Sequence, residues 1–252
     1  MRQVTASVIS NRRVTADYHL MWLDSPYIAS KARPGQFVMV RCGEDTILRR
    51  PLSIHQTDGG KIALLFTVVG KGTYWLSQCQ TSDNINLLGP LGNGFSIDHS
   101  AHNLLLVAGG IGIAPLCYLA QEAAQINCEV VTLAGARTTG QTGLENHLPS
   151  GIRLIFVAEE GALPNKGLVT EFVPYYFAWA DQLFACGPLT MYKTMAQMPE
   201  LREKSVQVSL EVRMGCGLGV CYGCTVKTSN GLKQVCQDGP VFELNDVIWD
   251  EL

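Results

Sequence analysis

What the sequence lacks narrows its function first. No apolar run reaches the roughly 18 residues that a membrane-spanning helix needs, so no membrane span is expected. Lys and Arg total 19 against 22 Asp and Glu, a formal net charge of −3, and no basic stripe stands out. A nucleic-acid partner is therefore not expected. No targeting segment precedes the first strand-like alternation, Met1-Arg2-Gln3-Val4-Thr5-Ala6, which points to the cytoplasm and a reducing setting. Internal repeats and low-complexity tracts are missing too. What remains is a chain of 252 residues, 47% hydrophobic, enough for one large domain or two to three small ones.

Cysteine is abundant by contrast, with nine residues. Four lie near the end, Cys216, Cys221, Cys224 and Cys236, in the spacing C-x4-C-x2-C-x11-C. That is the plant-type ligand pattern for a [2Fe–2S] cluster. The close run must wrap backbone around inorganic sulfide. Gly215, Gly217, Gly219 and Gly223 allow this, and they let N–H groups reach the sulfurs. Two other readings stay open. A structural zinc also takes four thiolates, though usually from two C-x2-C knuckles, and one is present here. A disulfide needs an oxidising compartment that nothing in the sequence indicates. The remaining cysteines, Cys42, Cys79, Cys117, Cys128 and Cys186, sit in apolar surroundings and read mostly as small core residues.

The rhythm of the chain changes twice. The first hundred residues hold short strand candidates at 4–9, 18–23, 36–41 and 62–67. Turn signals such as Arg33-Pro34-Gly35 and Asp58-Gly59-Gly60 separate them. This spacing suggests a small antiparallel barrel. From Asn103 the pattern becomes strand–helix alternation. A continuous apolar run at 103–108 and strand candidates at 129–134, 152–157 and 182–185 alternate with helical segments at 113–126 and 189–197. That predicts a parallel α/β sheet. From about Val206 the cluster loop and short strands follow. The expected architecture is multi-domain: a β-barrel over 1–99, an α/β parallel-sheet domain over 100–205 and a small cluster domain over 206–252.

Three further constellations carry chemistry. Gly109-Gly110-Ile111-Gly112-Ile113-Ala114-Pro115 follows the first buried strand and opens a helix, where backbone N–H groups can meet a pyrophosphate. A tight turn without a ligand has the same look. Cys186-Gly187-Pro188 follows the last buried strand, and ligands of open parallel sheets lie outside the strands' carboxyl ends. Both turns should face one crevice. In the β-rich part, Arg49-Arg50-Pro51-Leu52-Ser53-Ile54 pairs a cation with a hydroxyl beside a strand. Gly70-Lys71-Gly72-Thr73 precedes a short helix candidate at 73–79 and suits a second pyrophosphate. A surface arginine pair and a plain glycine turn are the ordinary alternatives.

Taken together, these residues resemble the ferredoxin–NADP reductase superfamily over about residues 1–200. The tail, with Gln237-Asp238-Gly239-Pro240-Val241-Phe242 after Cys236, is similar to the electron-transfer subunit of class B, NAD-dependent dihydroorotate dehydrogenase. So is Gly89-Pro90-Leu91-Gly92-Asn93-Gly94-Phe95. The resemblance implies FAD on the barrel, contacted by Arg50, Pro51, Leu52 and Ser53, by Leu65, Phe66 and Thr67, and by Gly72 and Thr73. It implies NAD at Gly109, Gly110, Gly112, Ala114 and Pro115 and at Cys186, Gly187 and Pro188, with the cluster on the four cysteines. Thr67 stands where the family often has an arginine. The segment 158–167 stands where it often has Asp-Asp-Gly-Ser, and Glu159 and Glu160 there lean toward NAD over NADP. The implied activity is electron relay between an FMN-containing dihydroorotate dehydrogenase catalytic subunit and NAD⁺, in pyrimidine biosynthesis, with a heterotetramer of two copies of each subunit. Other reductase subunits, of transhydrogenase or sulfide-dehydrogenase type, share this build. No general base stands out, and Cys186 reads equally as a residue near the nicotinamide or a packed strand end. Gly239-Pro240-Val241-Phe242 and Trp249 are candidates for the partner's contact surface, and Trp249 reads equally as a tail residue packed on its own domain.

Overall fold

The computed structural model describes residues 1–138, 152–161 and 164–252. The first part is a closed barrel. Its strands are β1 (Arg2–Arg13), β2 (Tyr18–Asp24), β3 (Phe37–Val40), β4 (Arg50–Asp58), β5 (Lys61–Thr67) and β6 (Asn84–Leu91), with short helices α1 (Pro26–Ala29) and α2 (Lys71–Gln78) between them. The order is β1-β2-β5-β4-β3-β6, all antiparallel, with β6 returning to β1. Closure leaves no free edge. Gly35, Gly59 and Gly60 at the expected turns have positive φ, a backbone region in which side chains with a Cβ are strained.

The second part is a six-stranded sheet. It contains β7 (Asn103–Gly109), β8 (Glu129–Ala136), β9 (Arg153–Ala158), β10 (Gln182–Cys186) and β11 (Val206–Ser209), with helices α3 (Ile113–Gln125), α4 (Val169–Phe172) and α5 (Leu189–Ala196). These five strands run parallel in the order β11-β10-β7-β8-β9. In β7, Leu104 to Ala108 are buried on both faces, which is why the segment reads as an unbroken apolar run. Helix α3 is apolar nearly all round because it lies between two bodies. Its Ala114 carbonyl accepts from Nδ1 of buried His55 on β4 at 3.0 Å. Tyr118 donates to the Ala32 carbonyl, and Gln121 to that of Thr57. One buried apolar cluster therefore runs from Leu20, Ala63 and Leu65 of the barrel through α3 to Leu104 and Phe184 of the sheet. Each such large side chain contributes roughly 1.5–3 kcal/mol when fully buried, so the seam between the two bodies is held by core, not by surface contact.

The tail contains the hairpin β12 (Thr225–Thr228) and β13 (Gly231–Gln234), then β14 (Val241–Glu243). Strand β14 adds antiparallel to β11, with Phe242 opposite Val208. The sheet therefore continues past the boundary expected at residue 206, because β11 bonds to β10 and is closed off by a strand from beyond the fourth cysteine. Of its two readings, Trp249 takes the packed one. It is buried, stacked on Tyr192 at 5.3 Å, and donates through Nε1 to the Leu244 carbonyl at 2.9 Å. It is a packing residue of its own chain and not a contact surface. Phe242 is held half-buried against the sheet. Among the described residues no helix is long and apolar enough to cross a membrane.

Candidate functional site

Two cavities meet where the barrel, the sheet and the tail come together. The first, 390 Å³, has an apolar wall of Phe37, Pro51, Leu52, Leu65 and Phe66. Polar groups at Arg50, Ser53, Thr67 and Thr73 line it too. This mixture suits a flat ring laid on an apolar floor with hydrogen bonds at its edge and a cation for phosphate. Strands β3, β4 and β5 and the start of α2 bring these residues together from four stretches of sequence. Gly72 lies beneath Arg50, where a Cβ would come within 3.0 Å of Nε. Thr73 is fixed by the Val69 N–H, which donates to its Oγ1 at 2.9 Å. Ala114 and Pro115 line this barrel-side cavity and not the second one. The first turn of α3, which the resemblance gives to the nicotinamide nucleotide, leans over the barrel.

The second cavity, 410 Å³, lies at the carboxyl ends of the parallel strands. Gly109 and Gly110 line it from one turn, and Gly187 and Pro188 from the other, so the two glycine turns do share one crevice. They also pack on each other. A Cβ on Gly109 would sit 2.5 Å from Pro188 Cδ, and one on Gly112 would sit 2.0 Å from the Cys186 carbonyl oxygen. Gly112 is thus a packing glycine beneath the crevice. Replacing it with Ala is expected to cost roughly 1–3 kcal/mol of stability, the scale of overpacking, and to weaken NAD⁺ binding by displacing both turns. Thermal unfolding and NAD⁺ titration calorimetry of Gly112→Ala check this.

Cys186 is 2% exposed, packs in the core and lines neither cavity. Burial pushes its thiol well above the usual range. The packed-strand-end reading is the one its position fits. Tyr192 holds the turn above it. Its hydroxyl accepts from the Gly187 N–H at 2.8 Å and donates to the Ser209 carbonyl at 2.7 Å. At the far wall, Glu159 and Arg137 line the nucleotide cavity. The N–H of Glu159 donates to Ala136, which extends the pairing of β9 with β8. Glu160 does not line it. Ala162 and Leu163 of that segment lie outside the described residues.

Sequence reasoning missed Glu211. It lines both cavities, as does Ile111. The residue is exposed by surface area, yet its carboxylate has protein close around it in the crevice, and that desolvation raises its pKa. No motif flags the position. It follows β11 by two residues, and only the fold carries it to the seam.

The four cysteines fall into two pairs. Cys216 lies beside Cys221, and Cys224 beside Cys236. Backbone amides point at the sulfurs: Leu218 N–H to Cys216 Sγ at 3.2 Å, Gly219 N–H to Cys236 Sγ at 3.2 Å, and Cys236 N–H to Cys224 Sγ at 3.5 Å. Burial pushes the Cys216 thiol up, but hydrogen bonds from Leu218, Cys221 and Val220 outweigh it and bring it down to about 6. Two thiol pairs with amide donors fit two irons bridged by sulfide. The family match given below, not the placement of the sulfurs, separates this reading from a single zinc. Gly217 and Gly219 have φ of +71° and +77°, and a Cβ on Gly217 would press on Met39 of the barrel. Glycine there lets the loop fold back onto the barrel.

A family model described as the iron-sulfur cluster binding domain of dihydroorotate dehydrogenase B matches residues 211–248, which include all four cysteines. The chain is also 40% identical to the dihydroorotate dehydrogenase B (NAD(+)) electron transfer subunit of Desulforamulus reducens, over 97% of this chain and 98% of that protein. The chain belongs to this electron-transfer subunit family. The subunit of the same name from Clostridium acetobutylicum is 38% identical over 88% of each chain. A solved structure of an NADH-dependent reduced ferredoxin-NADP oxidoreductase, described in connection with flavin-based electron bifurcation, is 33% identical. It superposes with a TM-score of 0.87, covering 98% of this chain and 91% of that one. A ferredoxin NADP⁺ reductase from Neisseria gonorrhoeae with bound FAD and NADP shares 15% identity at a TM-score of 0.65, covering 78% and 90%. That likeness is one of fold.

Proposed function

We propose that this electron-transfer subunit relays electrons between an FMN-containing dihydroorotate dehydrogenase catalytic subunit and NAD⁺, in the cytoplasm, within a heterotetramer of two copies of each chain. The observation that carries this reading is the meeting of a barrel-side cavity, a nucleotide cavity and a paired-cysteine loop in one chain. When bound, FAD exchanges a hydride with NAD and single electrons with the [2Fe–2S] cluster, which handles one electron at a time.

The chain's own residues place and tune. Arg50 offers positive charge for the FAD phosphates, and its Nη1 is steadied by the Leu48 carbonyl at 2.7 Å. Ser53, Thr67 and Thr73 meet polar edges, while Pro51, Leu52, Leu65 and Phe66 keep water from the ring. The positive-φ turn at Gly110 presents backbone N–H groups to the dinucleotide phosphates. Glu159 in the nucleotide cavity disfavours a 2′-phosphate, consistent with NAD over NADP. Single electrons would bring no proton, and forming the hydride passed to NAD⁺ would need one from a nearby group. Glu211, at the seam, holds that proton on its carboxyl oxygen.

With Trp249 buried, the partner surface lies on the rim of the cluster loop. There Val220 is 71% and Tyr222 70% exposed, with Leu218 beside them at 42%. Apolar residues left open around a redox centre fit a docking face. Val220→Glu combined with Tyr222→Glu is expected to abolish co-purification with the catalytic subunit and dihydroorotate-dependent NADH formation, while NADH oxidation by ferricyanide persists. A complex of unchanged stability would move the interface elsewhere. The 33% match to the bifurcating oxidoreductase supports a second reading, a reductase subunit of transhydrogenase or sulfide-dehydrogenase type with another partner. Cross-linking this chain in its native cell extract and identifying the captured flavoprotein separates the two.

A further inference from the structure

The motif Gly89-Pro90-Leu91-Gly92-Asn93-Gly94-Phe95 has no part in the roles above. In the structure it turns the corner after β6 and meets the segment that follows the last cluster ligand. The Asn93 N–H donates to the Gly239 carbonyl at 2.5 Å. Its Nδ2 donates to the carbonyls of Gln237 and Asp238, at 3.3 and 3.0 Å. One residue therefore grips three successive carbonyls.

Those carbonyls lie on a short covalent path. Cys236 is at one end of it. Pro240, which lines the barrel-side cavity, is at the other. The Pro240 carbonyl in turn accepts from the Leu210 N–H at 2.9 Å, beside Glu211 in the same cavity wall. Gly92 forms the floor of the grip. A Cβ there would come within 2.6 Å of Pro240 Cδ, 2.7 Å of the Gly239 carbonyl oxygen and 2.9 Å of Phe37 Cε1, and its φ is +75°. Phe37 is itself part of the cavity wall. From behind, buried Gln36 donates through Nε2 to the Gly92 carbonyl at 2.7 Å.

We infer that the Gly92–Asn93 corner seats the cluster-bearing segment at a fixed spacing from the flavin cavity, with Asn93 a positioning residue for electron transfer between the two centres. This rests on the proposed FAD and cluster sites. The corner touches neither the nucleotide crevice nor the cysteine sulfurs. Its effect should therefore fall on transfer between the centres and spare both hydride transfer and cluster assembly.

The test uses the full chain loaded with FAD and cluster, as Asn93→Ala and Gly92→Ala variants. Stopped-flow absorbance after NADH addition separates flavin bleaching from cluster bleaching. Amide hydrogen exchange over 237–240 reports the grip itself, and the electron paramagnetic resonance signal after dithionite reports cluster integrity. Asn93→Ala is expected to slow cluster bleaching by about fivefold to tenfold, the low end of the scale of two lost hydrogen bonds. Exchange at 237–240 should rise, while flavin bleaching, iron content and the resonance signal stay unchanged. Gly92→Ala, where it folds, should slow cluster bleaching further. Faster exchange at 237–240 with cluster bleaching unchanged would overturn the inference and leave a purely structural tie. Equal slowing of flavin bleaching would overturn it too. A parent chain without flavin or iron would overturn both this inference and the site reading beneath it.

Discussion

Replacing Cys221 with Ser is expected to abolish dihydroorotate-dependent NADH formation while NADH oxidation by ferricyanide continues. Cys221 is the exposed member of the four cysteines; Cys224 and Cys236 are buried in the core. Its loss therefore removes a ligand with the least disturbance to packing. Half of the Cys216–Cys221 pair goes with it, and the remaining thiols cannot complete two four-coordinate irons. The visible and paramagnetic signatures of the cluster should disappear. Thermal stability should fall as well, because metal binding and folding are linked in small metal-holding segments. The barrel and sheet have their own core, which runs from Leu65 through α3 to Phe184, so the nucleotide and flavin sites stay formed. Loss of ferricyanide reduction to the same extent would mean that the tail supports the flavin site itself. Its route would be through Leu210, Val212, Met214 and Pro240, which all line the barrel-side cavity.

Glu211→Gln is expected to lower the rate of NADH formation from the fully loaded complex by about 100-fold, the lower end of what a positioned proton donor contributes. The substitution keeps size and polarity, so cofactor content should not change. The pH profile gives the sharper signature. Desolvation raises the pKa of Glu211, so the carboxyl keeps its proton to a higher pH than an ordinary glutamate. Proton donation is available below that raised pKa and is lost as pH rises through it. In the Gln variant this limb should vanish and leave a flat, slow profile. The neighbouring groups do not mimic it. Cys186 and Tyr192 are buried, and burial pushes both up, Tyr192 well above its usual range. Arg137 and Glu159 line the nucleotide cavity with it. A Gln variant with unchanged rate and pH profile would remove Glu211 from the proton path.

Much of this could be read before the structure was seen, because the relevant signals are local. The barrel strands alternate, β7 is an unbroken apolar run, and each glycine turn sits at a strand's carboxyl end. The cysteine spacing is a geometric requirement written into sequence. What could not be read is long-range. Strand β14 pairs with β11 across the whole cluster loop, and nothing in Val241-Phe242-Glu243 names its partner. Trp249 reads equally as a contact residue or as a tail residue packed on its own domain, and only the fold shows it stacked and buried on Tyr192. That Ala114 and Pro115 would also wall the barrel-side cavity could not be read either, because it depends on His55 of the barrel meeting the start of α3. Glu211 carries no motif at all. The exposed rim of Val220 and Tyr222 was visible as sequence and hidden as meaning, since exposure is a property of the folded loop.

The most direct measurement is NADH formation after mixing this chain, purified anaerobically, with the FMN-containing catalytic subunit of the same source. Dihydroorotate would be the sole reductant and NAD⁺ the sole acceptor. Turnover that requires both chains, and that is lost with Cys221→Ser, is the predicted result. No turnover from a chain that still bleaches its own flavin with NADH would contradict the account and assign the electrons to a different partner.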